Sequence, residues 1–167
     1  MFPAPISDYH KREWDVRARI PSRVRGVLTS SAGRSEAIMS KYISTSEFDC
    51  PTAVIKVNRL YRPGLTAEEL SDITRGFWRT AHKKVRKCDI VLSVYQGEVL
   101  EVYAVDEWVD GETLRLETNI QNCRRPDSYG FNGHVAPKAV RDRFLGRSVE
   151  KLFKHGDQNP VRAFNVG

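Results

Sequence analysis

Two segments of the chain are rich in lysine and arginine, the residue types that contact phosphate groups in nucleic acids. The candidate contacts are Arg75, Arg79, Lys83, Lys84, Arg86 and Lys87 in the first segment, and Arg124, Arg125, Arg141, Arg143 and Arg147 in the second. Each phosphate neutralised by such a side chain releases a condensed counterion, which favours binding to a polyanion. For any single one of these residues, the alternative is that the side chain belongs to a solvated charged surface and contacts no phosphate.

The distribution of charge along the chain strengthens this interpretation. Residues 51–90 hold nine Lys/Arg against four Asp/Glu, residues 121–167 repeat these numbers, and residues 91–120 hold one basic residue against seven acidic ones. The chain of 167 residues has a formal net charge of +6 and a pI near 9.4. Two basic segments therefore flank an acidic one, a polarity typical of nucleic-acid-binding domains.

A site for an extruded nucleobase would need a flat aromatic surface and a few hydrogen-bonding groups, because the base has lost its stacking and pairing partners. The candidate aromatic residues are Trp78 and Trp108, with Tyr95, Tyr103 and Phe131 behind them. The candidate polar groups are Asn58, Arg59, Gln158 and Asn159. Trp78 is the favoured platform because arginines stand at positions 75 and 79. An aromatic residue beside strands is, however, more often part of the core.

An enzymatic role is the weaker hypothesis. A thiol nucleophile needs an adjacent base, and the spacing selects no pair. The thiols considered are Cys88 and Cys123, and the imidazoles are His82, His134 and His155. No Cys-x-x-Cys or His-x-x-x-His spacing occurs, so no zinc site is predicted. Gly130 and Gly133 lack the Lys-Ser/Thr that ends a phosphate-binding loop. We expect neither a metal nor a cofactor.

The composition also bears on the compartment. No stretch approaches the roughly 18 apolar residues of a membrane span, and no charged region followed by an apolar run opens the chain. The three cysteines, Cys50, Cys88 and Cys123, are odd in number and widely spaced, which favours reduced thiols over a disulfide framework. A cytoplasmic protein without a membrane partner is expected.

Two regions differ in pattern. Residues 1–50 have few apolar positions and are predicted to form an N-terminal arm, with helices over residues 7–20 and 35–42. Residues 51–167 carry the pattern of one α+β domain. Strands are predicted over residues 53–58, 90–95, 99–105, 113–118, 129–135 and 161–166. Neither face of the strand at 99–105 is strongly polar, which favours burial on both sides.

Local signals place the turns and helices of this domain. Residues 66–69 fit a capping box that starts a helix. Gln96-Gly97 is a two-residue connection typical of a tight hairpin. Pro137 opens another helix with Val140, Phe144 and Leu145 on its apolar side, and a helical turn is predicted over residues 149–153.

Several ordered motifs resemble a known family. They are residues 55–63 (IKVNRLYRP), 74–79 (TRGFWR), 94–103 (VYQGEVLEVY) and 158–162 (QNPVR). Together, over about residues 52–166, they resemble the C-terminal region that follows the catalytic domain in one bacterial group of GIY-YIG nucleases. The resemblance implies association with DNA processing or defence. It does not imply cleavage, because no Gly-Ile-Tyr occurs and Tyr42-Ile43 is followed by Ser44.

The element order is also similar to that of the PUA-like and EVE-like barrels, which bind a nucleotide or a modified base between a strand edge and a helix. We therefore expect an α+β fold: a small, strongly twisted mixed sheet or partly closed β-barrel with two or three flanking helices and an N-terminal helical arm. Fold likeness alone does not establish function.

Three hypotheses about function follow from the sequence. The first is a nucleic-acid-binding module, with DNA favoured, that reads a flipped or modified base in connection with restriction or DNA processing. The second is an interaction or inhibitor module of phage or defence origin that docks a protein, such as a nuclease, through its acidic hairpin or its arm. The third is a small nucleotide hydrolase.

Overall fold

The computed structural model describes residues 40–79, 83–121 and 126–167. The chain divides into two compact units, Met1–Ile38 and Met39–Gly167, and every described residue belongs to the second. The helix predicted over residues 7–20 lies outside the described residues, as does most of that over residues 35–42. Residues 40–42 themselves are not helical.

Five strands form one mixed sheet with the order β4-β3-β2-β1-β5. The strands are β1 (Thr52–Lys56), β2 (Ile90–Tyr95), β3 (Glu98–Asp110), β4 (Tyr129–Val135) and β5 (Val161–Phe164). β1 and β2 run parallel, and all other neighbouring strands are antiparallel. The β2–β3 turn is the predicted hairpin: Gln96 and Gly97 have φ angles of 47° and 83°, the pair of positive values that a type I′ turn requires.

Two α-helices flank the sheet in the described residues: α1 (Ala67–Arg75), which connects β1 to β2, and α2 (Lys138–Phe144), which follows β4. The predicted capping box begins α1, because the Thr66 hydroxyl accepts from the Glu69 amide at 3.2 Å and the Glu69 carboxylate accepts from the Thr66 amide at 3.0 Å. Short 3₁₀ turns occupy Thr45–Glu47, Val85–Lys87 and Glu150–Leu152. No helix of the described chain is long and apolar enough to cross a membrane.

Both faces of the sheet are covered, as predicted for the strand at 99–105. On the α1 face, Ile73 packs with Tyr103 and Phe131, and on the α2 face, Phe144 packs with Leu92. Successive residues of β3 point to alternate faces, so one strand contributes to both cores. Burying each such side chain contributes roughly 1.5–3 kcal/mol, which makes the two cores the main source of stability.

Residues 40–50, assigned to the arm from the sequence, pack on the sheet. Ile43 and Phe48 are buried on the α2 face. The guanidinium of Arg147 holds this segment by donating to the carbonyls of Ser40 (2.8 Å) and Tyr42 (3.1 Å) and by pairing with the Glu47 carboxylate at 2.7 Å. Long-range bonds to the segment after α2 therefore attach residues 40–47 to the domain.

The strand predicted over residues 113–118 does not form. The fully buried Asp72 carboxylate accepts from the amides of Glu117 (3.1 Å) and Thr118 (2.6 Å) and from the Thr118 hydroxyl (2.6 Å). The Arg75 guanidinium also donates to the Arg115 carbonyl at 3.1 Å. Side chains of α1 thus take the backbone groups that a sheet ladder would need.

The α+β class and the small mixed sheet are confirmed. In the described residues the sheet is open rather than barrel-like, with β4 and β5 at its two edges. Residues 113–118, the predicted strand that does not form, are bonded to α1 and so do not extend the sheet toward closure.

Removing the Asp72 carboxylate should destabilise the fold strongly. Asp72→Ala leaves the amides of residues 117 and 118 without their acceptor and the buried Arg75 guanidinium without its nearest carboxylate, and we expect a loss of about 3–5 kcal/mol in the free energy of unfolding, measured with urea. Asp142→Ala, which removes only an exposed ion pair with Lys138, is the matched control and should cost less than about 0.5 kcal/mol. Similar losses in the two variants would contradict this role for Asp72.

Acid should weaken the attachment of residues 40–47. Partial burial raises the pKa of Glu47, but hydrogen bonds from Arg147 and the Ser44 amide, with the charges of Arg147 and Arg143, lower it overall from its ordinary value of 4.5. A lowered folded pKa gives stability that is complete above the unfolded pKa and is lost as the pH falls through the folded pKa.

We therefore expect the stability advantage of the native chain over Glu47→Gln to shrink as the pH is lowered below 4.5. Urea unfolding of both chains between neutral and acid pH measures this difference in the free energy of unfolding. The contributions of the other carboxylates cancel in the difference, because both chains contain them. A difference that stays constant with pH would refute the assignment.

Candidate nucleic-acid interface

The described arginines of the second basic segment are used inside the protein. Arg141 pairs with Glu101 through two bonds of 2.7 and 2.8 Å, and Arg143 pairs with Asp49 at 2.7 Å. Arg147 is 7% exposed and pairs with Glu47. All three lie on or next to α2, on the α2 face. Arg124 and Arg125 lie outside the described residues.

Arg75 of the first segment is likewise internal. It is 6% exposed, and its guanidinium donates to the Phe131 carbonyl and to the Asn132 side chain, each at 3.1 Å. Asp72 lies 3.5 Å away. A phosphate could not reach this group without breaking the bonds that join α1 to β4, so the prediction that Arg75 contacts the nucleic-acid backbone is not supported.

The other cations of the first segment are exposed. They are Arg79, Lys83, Lys84, Arg86 and Lys87. Their neighbours Val85 and Cys88 are buried in the core of the α1 face, which places residues 83–87 on that side of the sheet. Within residues 40–79, 83–121 and 126–167, none of the five forms an ion pair with a carboxylate. Among the described residues, therefore, no carboxylate neutralises their positive charge through an ion pair.

Aromatic side chains border these cations. The guanidinium carbon of Arg86 lies 4.3 Å from the centroid of the Tyr129 ring, a cation–π contact. Trp78 exchanges two backbone hydrogen bonds with Tyr129, at 2.8 and 3.1 Å, and both side chains are partly exposed. We call this set the basic–aromatic surface: Trp78, Arg79, Lys83, Lys84, Arg86, Lys87 and Tyr129.

Close backbone packing fixes the geometry of this surface. The chain leaves α1 through Phe77, whose φ of 64° is unusual for a bulky residue and turns the backbone toward β4. At Gly130, a Cβ atom would lie 2.4 Å from the Arg75 carbonyl oxygen, so only glycine permits this approach. These two features bring Trp78 and Tyr129 together.

The two tryptophans in the described residues, Trp78 and Trp108, have no hydrogen-bond donor left for a base. The indole N–H of Trp78 donates to the Thr74 carbonyl at 2.7 Å, and that of Trp108 donates to the Cys88 carbonyl at 2.9 Å. Indole has no other polar atom, so only the faces of the rings remain available. Phe131 is fully buried beneath Trp108, with the ring centroids 5.2 Å apart, and it was wrongly predicted to line a base pocket. Tyr103, 2% exposed, is also a core residue.

The polar groups predicted to orient a base lie at the other end of the sheet. The Asn58 side-chain oxygen accepts from the Gln96 amide at 2.8 Å, and that of Asn159 accepts from the Val161 amide at 3.1 Å. Asn58 and the exposed Arg59 follow β1, Tyr95 ends β2 and Asn159 precedes β5, all at the end of the sheet where β3 begins.

Distance along β3 separates the two halves of the predicted pocket. Tyr95 pairs with Glu98 at the start of β3, and Trp108 lies near the end of the same strand. At about 3.3 Å per residue, the separation is roughly 30 Å. Asn58, Arg59, Tyr95 and Asn159 therefore do not meet Trp78 and Trp108 in one pocket.

Three of the groups considered for the two alternative functions, Cys88, Asp106 and Glu107, are shielded or already in contact with a neighbouring side chain. Cys88 is 2% exposed, and burial raises the pKa of its thiol to about 12, so it is not a nucleophile at neutral pH. Asp106 lies 3.4 Å from the His134 imidazole, and Glu107 accepts from the Asn132 amide group at 3.0 Å. Cys123 and His82 lie outside the described residues, and His155 is exposed.

Tyr129 is the residue that the sequence reasoning missed. Its position at the start of a predicted strand gave no reason to connect it with Trp78, which lies about fifty residues earlier in the chain. The sequence indicated a cluster of cations beside Trp78, but it did not indicate that the Tyr129 ring would join them.

Comparison with known proteins gave no match: no protein-family model, no curated protein and no solved structure matches the chain.

Proposed function

We propose that this protein is a nucleic-acid-binding module, with DNA as the favoured partner, and that it binds through the basic–aromatic surface. The observation that carries the proposal is a contrast between two groups of cations. Arg75, Arg141, Arg143 and Arg147 each have a carboxylate partner. The five exposed cations of the basic–aromatic surface have none among the described residues.

This contrast matters because paired and unpaired cations respond differently to a polyanion. An internal ion pair must be broken before its cation can bind phosphate, which costs the energy of the pair. An unpaired exposed cation exchanges only loosely held counterions and water, so binding gains from counterion release. Arg86 is also held against the Tyr129 ring, which restricts its guanidinium to fewer orientations.

The aromatic part of the surface supports stacking rather than recognition of base edges. Trp78 presents only its ring, since its N–H is bonded to Thr74. Stacking on a ring face accepts any base and is typical of binding with little sequence preference. We therefore propose contacts to the backbone with stacking of exposed bases. We do not propose a pocket for a flipped or modified base, because the residues predicted to form it lie at opposite ends of the sheet.

The sequence resemblance supports the choice of DNA. Residues 52–166 resemble the region that follows the catalytic domain in a group of GIY-YIG nucleases, and a role beside a restriction or DNA-processing nuclease fits that resemblance. Neither docking of a protein partner nor hydrolysis of a nucleotide is favoured by a specific contact in the described residues.

Salt dependence of binding tests the proposal. We expect the affinity of the native chain for a fluorescent single-stranded DNA, measured by anisotropy, to fall steeply with salt. The double variant Lys84→Ala/Lys87→Ala should reduce the slope of log affinity against log salt by about 1.4 for a single strand, from two lost phosphate contacts. The charge-matched control Lys41→Ala/Lys151→Ala removes two exposed lysines near the Tyr42 ring and should leave the slope unchanged.

Parallel titrations with double-stranded DNA and with RNA of the same sequence identify the preferred polymer. Affinity that does not depend on salt, or the same loss of slope in the two double variants, would refute the assignment of binding to this surface.

A further inference from the structure

We propose that the carboxyl end of β1 holds a second binding site, separate from the basic–aromatic surface, for an oxyanion that retains an O–H group, namely hydrogen phosphate. Four side chains form this site: Lys56, Phe153, Asp157 and Arg162. We call it the Lys56 site. All four belong to described residues of the same unit.

The backbone of the Lys56 site is firmly held. Lys56 is the last residue of β1, and its amide donates to the Pro160 carbonyl at 2.7 Å. The Asn159 amide donates to Asp157 Oδ1 at 3.1 Å, which fixes the loop that leads into β5. The site thus lies where β1 ends beside its parallel neighbour β2, and ligands of α/β sheets commonly bind outside the carboxyl ends of parallel strands.

Lys56 has hydrogen-bond donors to spare. Its half-buried Nζ lies 3.3 Å from the Asp157 carbonyl oxygen and 3.7 Å from the centroid of the Phe153 ring. An ammonium group has three N–H donors, and the described residues offer this one a single acceptor. Burial, with the nearby charge of Arg162, lowers the pKa of Lys56 although Asp157 opposes the shift. A bound anion would satisfy the remaining donors and offset the repulsion between the two cations.

Asp157 has an acceptor to spare at the same place. Its Oδ2 atom lies 2.8 Å from Nη2 of Arg162, but the contact lacks the alignment of a hydrogen bond. Among the described residues, Oδ2 is the buried side-chain polar atom without a hydrogen-bond partner. Such atoms are rare in folded proteins, because an unsatisfied buried acceptor is costly. Lys56 and Asp157, which supply the spare donors and the spare acceptor, are already joined by the bond from Nζ to the Asp157 carbonyl.

The chemistry of the ligand follows from this combination. Two cations and one carboxylate leave a net positive charge, which selects an anion. The Asp157 oxygen requires a donor from the same ligand, and hydrogen phosphate supplies an O–H together with acceptor oxygens. Sulfate has nearly the same size and charge but carries no proton at neutral pH. The Lys56 site should therefore prefer phosphate to sulfate.

Isothermal titration of the full chain with phosphate and with sulfate, at equal ionic strength and neutral pH, tests this preference. We expect phosphate to bind at least about tenfold more tightly, the effect of one charge-assisted hydrogen bond. Lys56→Met keeps the apolar stem over Phe153 and removes the charge, and it should weaken phosphate binding by about tenfold or more. Lys154→Met, a nearby exposed lysine, is the control and should bind phosphate as the native chain does.

A second variant keeps the test decisive if Lys56→Met fails to fold. Asp157→Asn places an amide donor where Oδ2 stands, so phosphate should lose its advantage and sulfate should bind more tightly than it does to the native chain. Equal binding of the two anions by the native chain, or an unchanged preference in Asp157→Asn, would overturn the proposal.

Two further arms identify the ligand and separate the sites. The phosphate group of a 5′-mononucleotide carries an O–H only in its monoanionic form, which becomes more abundant as the pH falls. If the Lys56 site accepts phosphate esters, the mononucleotide should therefore bind more tightly at pH 5.5 than at pH 7.5. If it does not, free phosphate is the ligand. The double variant Lys84→Ala/Lys87→Ala should bind phosphate as the native chain does. The two proposals therefore fail independently: loss of one does not affect the test of the other.

Discussion

The buried charges at the end of α1 form the constraint on which the rest of the domain depends. Asp72 binds the backbone of residues 117 and 118, and Arg75 binds the carbonyls of Arg115 and Phe131. Two side chains one turn apart thus join a helix, an irregular segment and an edge strand. Buried charges persist in proteins only when they are paired and hydrogen-bonded, and here each partner satisfies part of that requirement for the other. The Trp78–Tyr129 contact follows directly from the position that this network gives to β4.

Periodicity and turn chemistry predicted most of the secondary structure, because these signals are local. The capping box at Thr66 and the Gln96-Gly97 hairpin depend on residues within a few positions of one another. The strand predicted over residues 113–118 failed for the opposite reason. Its alternation was real, but Asp72, more than forty residues earlier, supplied the acceptors for its amides. A pattern of side chains cannot reveal that a distant carboxylate will replace a neighbouring strand.

The candidate interface shows the same division between local and distant information. The sequence shows where cations are concentrated. Whether a cation is free to bind phosphate depends on carboxylates elsewhere in the chain, such as Glu101 for Arg141 and Glu47 for Arg147. The structure places α2 and residues 83–87 on opposite faces of the sheet, and it places Asn58 and Trp108 at opposite ends of the sheet.

The position of β1 between β2 and β5 has a consequence for how the chain reaches its native state. Thr52 pairs with Ile90 on one side and with Phe164 on the other, so β1 finds both of its neighbours across long stretches of chain. Pairings between distant residues form slowly, because loop closure costs entropy before contacts repay it. The β2–β3 hairpin needs only short-range pairing and is suited to form first. During synthesis, β1 would then wait with an unpaired edge until the segment containing β5 emerges, and this interval is when self-association is most favoured.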